Sequence, residues 1–262
     1  MLRSFAGGDL FGEIWGQPPA RVLALHGWRR THGDFLGVLG PGALMGASPS
    51  MAIDLPGFGA SPPPPEAWGS ADYADLVARV IRAGGPGSPE GPVVVLGHSF
   101  GGRIAVHLAA SQPDLVRALV LTGAPIAPSG GPTRKPPAAF RLVRAGRKFH
   151  LVPETVLERA RQRYGSADYV AAQGVMRQVL VKLLAERYEE QLSSIRCPVE
   201  LVWGDDDTEA PLSIARAVHS AIPGSVLTVS PGAGHMTPLT VPELLRQAVD
   251  RALDAPVQAG AC

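Results

Sequence analysis

Cysteine is nearly absent. Cys197 and Cys262 are the only two in 262 residues, and they form no C-x-x-C pair, which argues against a disulfide framework and a zinc site. Cys197 precedes Pro198 at the start of an apolar run, the setting of a small buried residue. Charge of one sign is lacking as well. A formal net charge of +1 with 18% charged residues gives no global reason to expect a nucleic-acid partner. No apolar stretch approaches the length of a membrane span, and the opening MLRSFAGGDLFGEIWG has no signal-peptide core, so the expectation is a soluble cytoplasmic protein without membrane insertion. What positive charge there is lies unevenly. Residues 133–163 hold nine Lys/Arg against Glu154 and Glu158, a basic segment in an otherwise slightly acidic chain.

Glycine and proline, by contrast, are plentiful, at 31 and 26 residues, and they punctuate a regular alternation. Short apolar runs at Arg21–His26, Ser50–Asp54, Val93–Leu96, Val116–Leu121, Val199–Trp203 and Val226–Val229 read as strands. Their nearly continuous apolar character suits strands covered on both faces, hence a parallel sheet with crossover helices. Between them, helical spacing is found at Asp34–Leu44, Ala71–Ala83, Ser99–Ala110, Leu212–Ala221 and Pro242–Leu253. Leu2–Phe5 and Phe11–Trp15 flank a Gly-Gly-Asp turn as an initial antiparallel hairpin. The alternation implies an open α/β fold. It stops between Thr122 and Ile195, where a Pro/Gly-rich run leads into consecutive helical segments. This part reads as a helical insertion at the strand ends where such sheets bind ligands.

Chemistry gathers at those strand ends. VVVLGHSFGG places Ser99 where a strand hands over to a helix. A capping serine is the common explanation of such a residue, but a cap needs no flanking glycines, which cost about 1 kcal/mol each at a helix start relative to alanine. A nucleophile on a strained strand-to-helix turn does need small residues two before and two after it, here Gly97 and Gly101. A serine hydroxyl also needs an imidazole to take its proton and a third group to orient that imidazole. Of the seven histidines, His235 follows a strand in a Gly-rich loop, whereas His107, His150 and His219 fall at helical positions. Among the adjacent Asp205, Asp206 and Asp207, the first two suit turn chemistry, which leaves Asp207 as the acid. Serine, acid and histidine then occur in the order of the nucleophile-elbow enzymes.

The blocks LALHGW, AIDLPGFGAS, VVVLGHSFGG, VELVWGDDDTEAP and SPGAGHMTPLTVPELL resemble, in order, the signature blocks of the α/β-hydrolase superfamily, in particular its capped, esterase-like serine branch. The resemblance spans nearly the whole chain. It implies an α/β-hydrolase fold with a mostly parallel sheet of about eight strands, a core formed by residues 1–124 and 196–262, and a helical cap at 125–195. It also implies Ser99, Asp207 and His235 as catalytic residues, and the backbone N–H groups of Trp28 and Phe100 as the oxyanion hole. His26, Gly27, Met176 and Met236 are expected to border the substrate. No metal or organic cofactor is implied. A serine at the elbow sets the chain apart from the dehalogenases and epoxide hydrolases of the superfamily, which use aspartate, and GHSFG differs from the GGSWG of the prolyl-peptidase branch.

The function so implied is hydrolysis of a carboxylic ester or related acyl bond of a small molecule, by a monomer or homodimer. The same triad serves perhydrolysis, acyl transfer and carbon–carbon bond hydrolysis, and some superfamily members bind ligands without turnover. Substrate choice rests with the cap, whose basic residues from Arg134 to Lys148 form either a solvated face or a steering patch for anionic substrates.

Overall fold

The computed structural model describes residues 1–41, 48–84, 87–127, 152–153, 155–156 and 167–256. In chain order the elements are β1 (Arg3–Phe5), β2 (Leu10–Trp15), β3 (Ala20–Leu25), α1 (Leu36–Leu39), β4 (Ser50–Asp54), α2 (Ser70–Ala83), β5 (Pro89–His98), α3 (Phe100–Ser111) and β6 (Val116–Thr122). They continue with α4 (Ala167–Ala171), α5 (Gly174–Ala185), α6 (Glu189–Ser194), β7 (Val199–Gly204), α7 (Leu212–Ala221), β8 (Val226–Ser230), α8 (Thr237–Thr240) and α9 (Pro242–Asp254).

The strands form one eight-stranded sheet in the order β1-β2-β4-β3-β5-β6-β7-β8. β1 and β2 pair antiparallel, as do β2 and β4, and the remaining pairs are parallel. The continuous apolar runs are explained by burial on both sides. Leu23, Leu25, Val95, Leu119, Leu121 and Trp203 pack on the face that carries α2, α3 and α7. Their chain neighbours Val22, Ala24, Val94, Leu96, Val120 and Val202 pack on the face that carries α1 and α9. Alternate residues of a strand point to opposite faces, so a strand covered twice has no polar position to spare.

The chain leaves β3 for β4 on one side and then crosses to β5 on the other, which puts a crevice at the carboxyl ends of β3 and β5. Crevices of this kind are where open α/β sheets hold ligands. The structure differs from the sequence reading in three places. β5 begins at Pro89 inside a segment expected to be surface loop, because Pro89 pairs with Ala20 across an irregularity in the ladder. The helix expected over 34–44 is a 3₁₀ turn at His32–Phe35 and the single turn of α1. The long helical stretch from Ser166 to Ile195 is broken into α4, α5 and α6.

In the described segment 167–195, α6 packs on α3 and sends Leu192 into the main core, where Ile195 joins it. Its junction with α5 is tied down by Glu186, which accepts from the Ser70 N–H at 2.8 Å and the Ser70 hydroxyl at 2.6 Å at the start of α2. The helix expected over AAFRLVRAGRKFH and, apart from Pro153, Thr155 and Val156, the one expected over PETVLERARQRYG lie outside the described residues, with nearly all of the basic segment.

Candidate active site

Ser99 joins β5 to α3 with φ 51° and ψ −110°, and its hydroxyl makes no capping bond to the helix it precedes. A positive φ in a residue other than glycine is a strained conformation that surrounding contacts must hold in place. Those contacts are backbone hydrogen bonds on both sides, from the Ser99 N–H to Thr122 O at 2.9 Å and from the Gly101 N–H to His26 O at 3.0 Å. A Cβ at Gly101 would overlap the Leu25 carbonyl, and one at Gly97 would lie 2.7 Å from the Gly102 Cα. Gly97 therefore lets α3 close on β5 and Gly101 lets it close on the end of β3, and the turn brings the serine side chain to the cleft.

The hydroxyl freed from capping meets His235. Ser99 Oγ lies 3.0 Å from His235 Nε2, and His235 Nδ1 lies 2.9 Å from Asp207 Oδ2. The carboxylate accepts from Nδ1–H, which leaves Nε2 as the acceptor of the serine proton. Asp207 is buried, and its other oxygen accepts the Glu209 and Ala210 N–H groups at 2.9 and 2.8 Å. The loop holding it is closed by the indole of the buried Trp203, which donates to Ala210 O at 2.6 Å. The acid and base loops pass close together. Asp206 N–H donates to Ala233 O at 3.0 Å, and a Cβ at Gly204 would overlap that carbonyl.

Burial pulls the His235 pKa down, but the hydrogen bond it donates to Asp207 and the charges of Asp207, Glu209 and Asp168 outweigh it, and the pKa ends above the ordinary 6.5. His98, one residue before the serine, is buried and its Nε2 donates to the His235 carbonyl at 2.9 Å. Burial, with the adjoining His235 adding to it, lowers the His98 pKa to about 4, so this ring is neutral when His235 works.

The N–H groups of Trp28 and Phe100 face no protein acceptor among the described residues. Both residues line a cleft of about 280 Å³ together with Ser99 and His235. Phe100 is the first residue of α3, where a backbone N–H is left open by the helix and attracts negative charge. Such an arrangement can bind an oxyanion formed on a carbon attacked by Ser99.

The structure thus brings together Ser99, Asp207, His235, Trp28 and Phe100. It does not bring His26 to the cleft. That ring is fully buried and used on both sides, Nδ1 donating to Gly27 O at 2.7 Å and Nε2 accepting from the Leu55 N–H at 2.9 Å. His26 is a strut between the ends of β3 and β4, which corrects its placement beside the substrate. Gly27 lies beneath the nucleophile, where a Cβ would be 2.9 Å from His98 Nδ1 and 3.3 Å from Ser99 Cβ. Met176 lines a separate cavity of about 420 Å³ on the other side of Trp28, beside Gly57 and Phe58. Met236 is half-buried at the start of α8, and its carbonyl takes the N–H groups of Leu239 and Thr240. Asp205 bonds outside its own turn, accepting the Gly232 N–H at 2.7 Å and so tying its loop to the one that leads to His235.

Several cleft residues escaped the sequence reading. Leu180, Leu183 and Leu184 of α5 form an apolar wall, and Arg103, Asp168 and Glu209 supply charge. The leucines have the i, i+3, i+4 spacing of one helix face, a signal that was available. Gly123 carried none. It has φ +56°, and a Cβ there would lie 3.1 Å from the His235 ring and 3.4 Å from Asp207 Oδ2. No group of acidic, histidine or cysteine residues among the described residues is arranged to hold a metal ion.

Comparison with known proteins identifies the family of the chain. The family described as alpha/beta hydrolase matches residues 22–248. A pimeloyl-[acyl-carrier protein] methyl ester esterase of Chromobacterium violaceum is 31% identical over 245 residues, covering 87% of this chain and 91% of its own. Lipase LipV of Mycobacterium tuberculosis is 39% identical over 128 residues, a match that spans about half of each protein, 48% of this chain and 46% of the lipase. Among solved structures, an esterase from Exiguobacterium antarcticum has a TM-score of 0.71 at 21% identity, covering 97% of this chain and 99% of its own. Est816, described as an N-acyl homoserine lactone degrading enzyme, has a TM-score of 0.69 at 20% identity, covering 96% and 99%. These two likenesses concern the fold.

Proposed function

Because the chain belongs to the alpha/beta hydrolase family, we propose that it is a serine hydrolase that cleaves carboxylic esters of small molecules through an acyl-enzyme on Ser99. The observation that carries this reading is the unbroken hydrogen-bond chain from Ser99 through His235 to Asp207, with the serine strained and uncapped. Esterase and lipase activities named for the relatives point the same way.

In this mechanism Ser99 Oγ attacks the ester carbonyl carbon while its proton passes to His235 Nε2. The carbonyl electron pair moves onto oxygen, which the Trp28 and Phe100 N–H groups stabilise. Asp207 holds the imidazole in the tautomer needed and stabilises the imidazolium without itself taking the proton. Collapse of the tetrahedral intermediate breaks the bond to the alcohol oxygen, and His235 returns the proton to that leaving group. Water, deprotonated by His235 in turn, hydrolyses the acyl-enzyme. The leucines of α5 offer an apolar surface for part of the substrate.

The test is covalent labelling followed by turnover. A fluorophosphonate probe should label the wild-type protein at Ser99 and leave Ser99→Ala unlabelled, and p-nitrophenyl butyrate should be hydrolysed only by the former. Folded wild-type protein that neither labels nor hydrolyses the ester would overturn the proposal.

A further inference from the structure

Two residues beyond the acid stands Glu209, whose place in the cleft the mechanism above does not use. Its main chain is pinned, because its N–H donates to Asp207 Oδ1 at 2.9 Å. Its side chain is 68% exposed and brings Oε2 to 3.5 Å from His235 Nε2. Among the described residues no Lys or Arg lies within ion-pair distance of it, so the carboxylate faces the cleft with only the imidazole as a partner.

The position matters because Nε2 has to deliver a proton to the departing alcohol oxygen, which must therefore come within about 3 Å of it. A carboxylate beside that nitrogen stands next to the alcohol portion of the substrate, on its solvent side. A cation placed two or three bonds beyond the ester oxygen falls within reach of it. Two other features of the cleft favour a cation. Trp28 lines the same space, and an indole surface attracts ammonium groups. Asp168 lines it too, and its one cationic partner among the described residues, Arg29, sits at 3.5 Å with both side chains half-exposed, a weak pair in water. The cation of the cleft, Arg103, is engaged elsewhere. Its guanidinium donates to Leu183 O and lies over the Tyr188 ring, 5.6 Å from its centroid.

We propose that Glu209 is a specificity-determining residue that makes the alcohol side of this cleft prefer esters carrying an ammonium group, such as small amino-alcohol or choline-type esters, over neutral ones of the same shape. The inference rests on the serine-hydrolase reading, with Trp28 and Asp168 completing the cation-accepting side.

The experiment compares butyrylcholine with 3,3-dimethylbutyl butyrate, in which carbon replaces the quaternary nitrogen. Wild-type kcat/KM should favour the choline ester about five-fold, the size that an exposed charge contact and a ring contact together supply. The ratio should shrink at about 0.5 M salt, where exposed charges are screened. Glu209→Gln should bring it down to about two, the part that the Trp28 ring supplies, and Glu209→Lys below one, since an exposed side chain can be changed without threatening the fold. A wild-type ratio of one or less, or a ratio that Glu209→Gln and Glu209→Lys leave in place, would overturn the proposal. Fluorophosphonate labelling of Ser99 in the same samples separates the two levels. Labelled protein lacking the preference fails only the Glu209 inference, whereas unlabelled protein that cleaves neither ester fails the serine-hydrolase reading with it.

Discussion

His98 donates through Nε2 to the main-chain carbonyl of His235 at 2.9 Å, so the residue next to Ser99 carries the loop of His235. The two rings also lie 4.9 Å apart, centroid to centroid. Through this contact the spacing between Ser99 and His235 is set by one side chain as well as by the sheet. His98→Leu takes its donor from the partly buried His235 carbonyl, at a cost of about 1 kcal/mol, and should lower kcat for p-nitrophenyl butyrate about ten-fold as Nε2 drifts from Ser99. Steady-state kinetics and thermal melting check this together. An unchanged kcat would show that the base loop holds itself.

Asp207 and Asp205 are two residues apart and differ sharply in what they touch. Asp207→Asn should reduce kcat by about 10⁴, because an amide cannot enforce the tautomer that leaves Nε2 free to accept. Asp205→Asn should stay within a few-fold of wild type and lose at most about 1 kcal/mol, since only the hydrogen bond to the Gly232 N–H is altered. Kinetics and urea titrations of the two variants decide the matter, and the reverse ranking would reassign the acid.

The pH profile follows from the sign of the His235 shift. Its pKa lies above 6.5 in the folded protein, and the base works only when unprotonated. Activity should therefore rise with pH along a limb whose midpoint is higher than 6.5. The stability that His235 contributes runs the opposite way. It is fully present below the unfolded value of 6.5 and is lost as pH rises through the folded pKa. Removing a neighbouring negative charge with Glu209→Gln should move the kinetic midpoint to lower pH, and a midpoint that stays put would mean that the charge is not felt at Nε2.

Acid should destabilise the fold through two other histidines. His26 and His98 are buried and held neutral, each with a pKa lowered to about 4, desolvation being the largest cause. Their contribution is present above the unfolded pKa and lost as pH falls through the folded one, between 6.5 and about 4. Each is worth on the order of 3 kcal/mol across that window. Urea midpoints measured from pH 7 to pH 4 should fall in wild type, and fall less steeply in His98→Gln. Equal slopes would remove His98 from the account.

Gly123→Ala tests a contact that no motif announces. A methyl at this position meets the His235 ring at 3.1 Å and requires φ +56° of an alanine. The conformation costs roughly 1 kcal/mol, and the displaced imidazole should cut kcat about 10²-fold with little change in KM. Wild-type kinetics in this variant would mean that the ring has room to retreat.

Much of the fold was legible in the sequence because its signals are local. Runs such as VVVL and VELVW are apolar without alternation since both faces of the sheet are covered, and the strands lie close to where those runs stand. The elbow was legible for a similar reason. Gly97 and Gly101 stand two residues either side of Ser99, a pattern visible within five residues of chain, although what Gly101 makes room for is the Leu25 carbonyl at the end of β3. The separation of α4, α5 and α6 was less legible, because the apolar periodicity continues across their junctions while tertiary contacts such as Glu186 with Ser70 set where the helices turn.

The sequence by itself determined the α/β alternation and marked Ser99, Asp207 and His235 as candidates, since strand runs and the short motifs at their ends are local. Only the tertiary structure decided that His26 is an internal strut, that Met176 faces a different cavity, and that Gly123, Arg103, Asp168 and Glu209 stand around the triad. Those relationships join the ends of separate strands with helices far along the chain. They exist because the sheet brings its carboxyl ends to one edge, and no spacing along the chain records which side chains meet there.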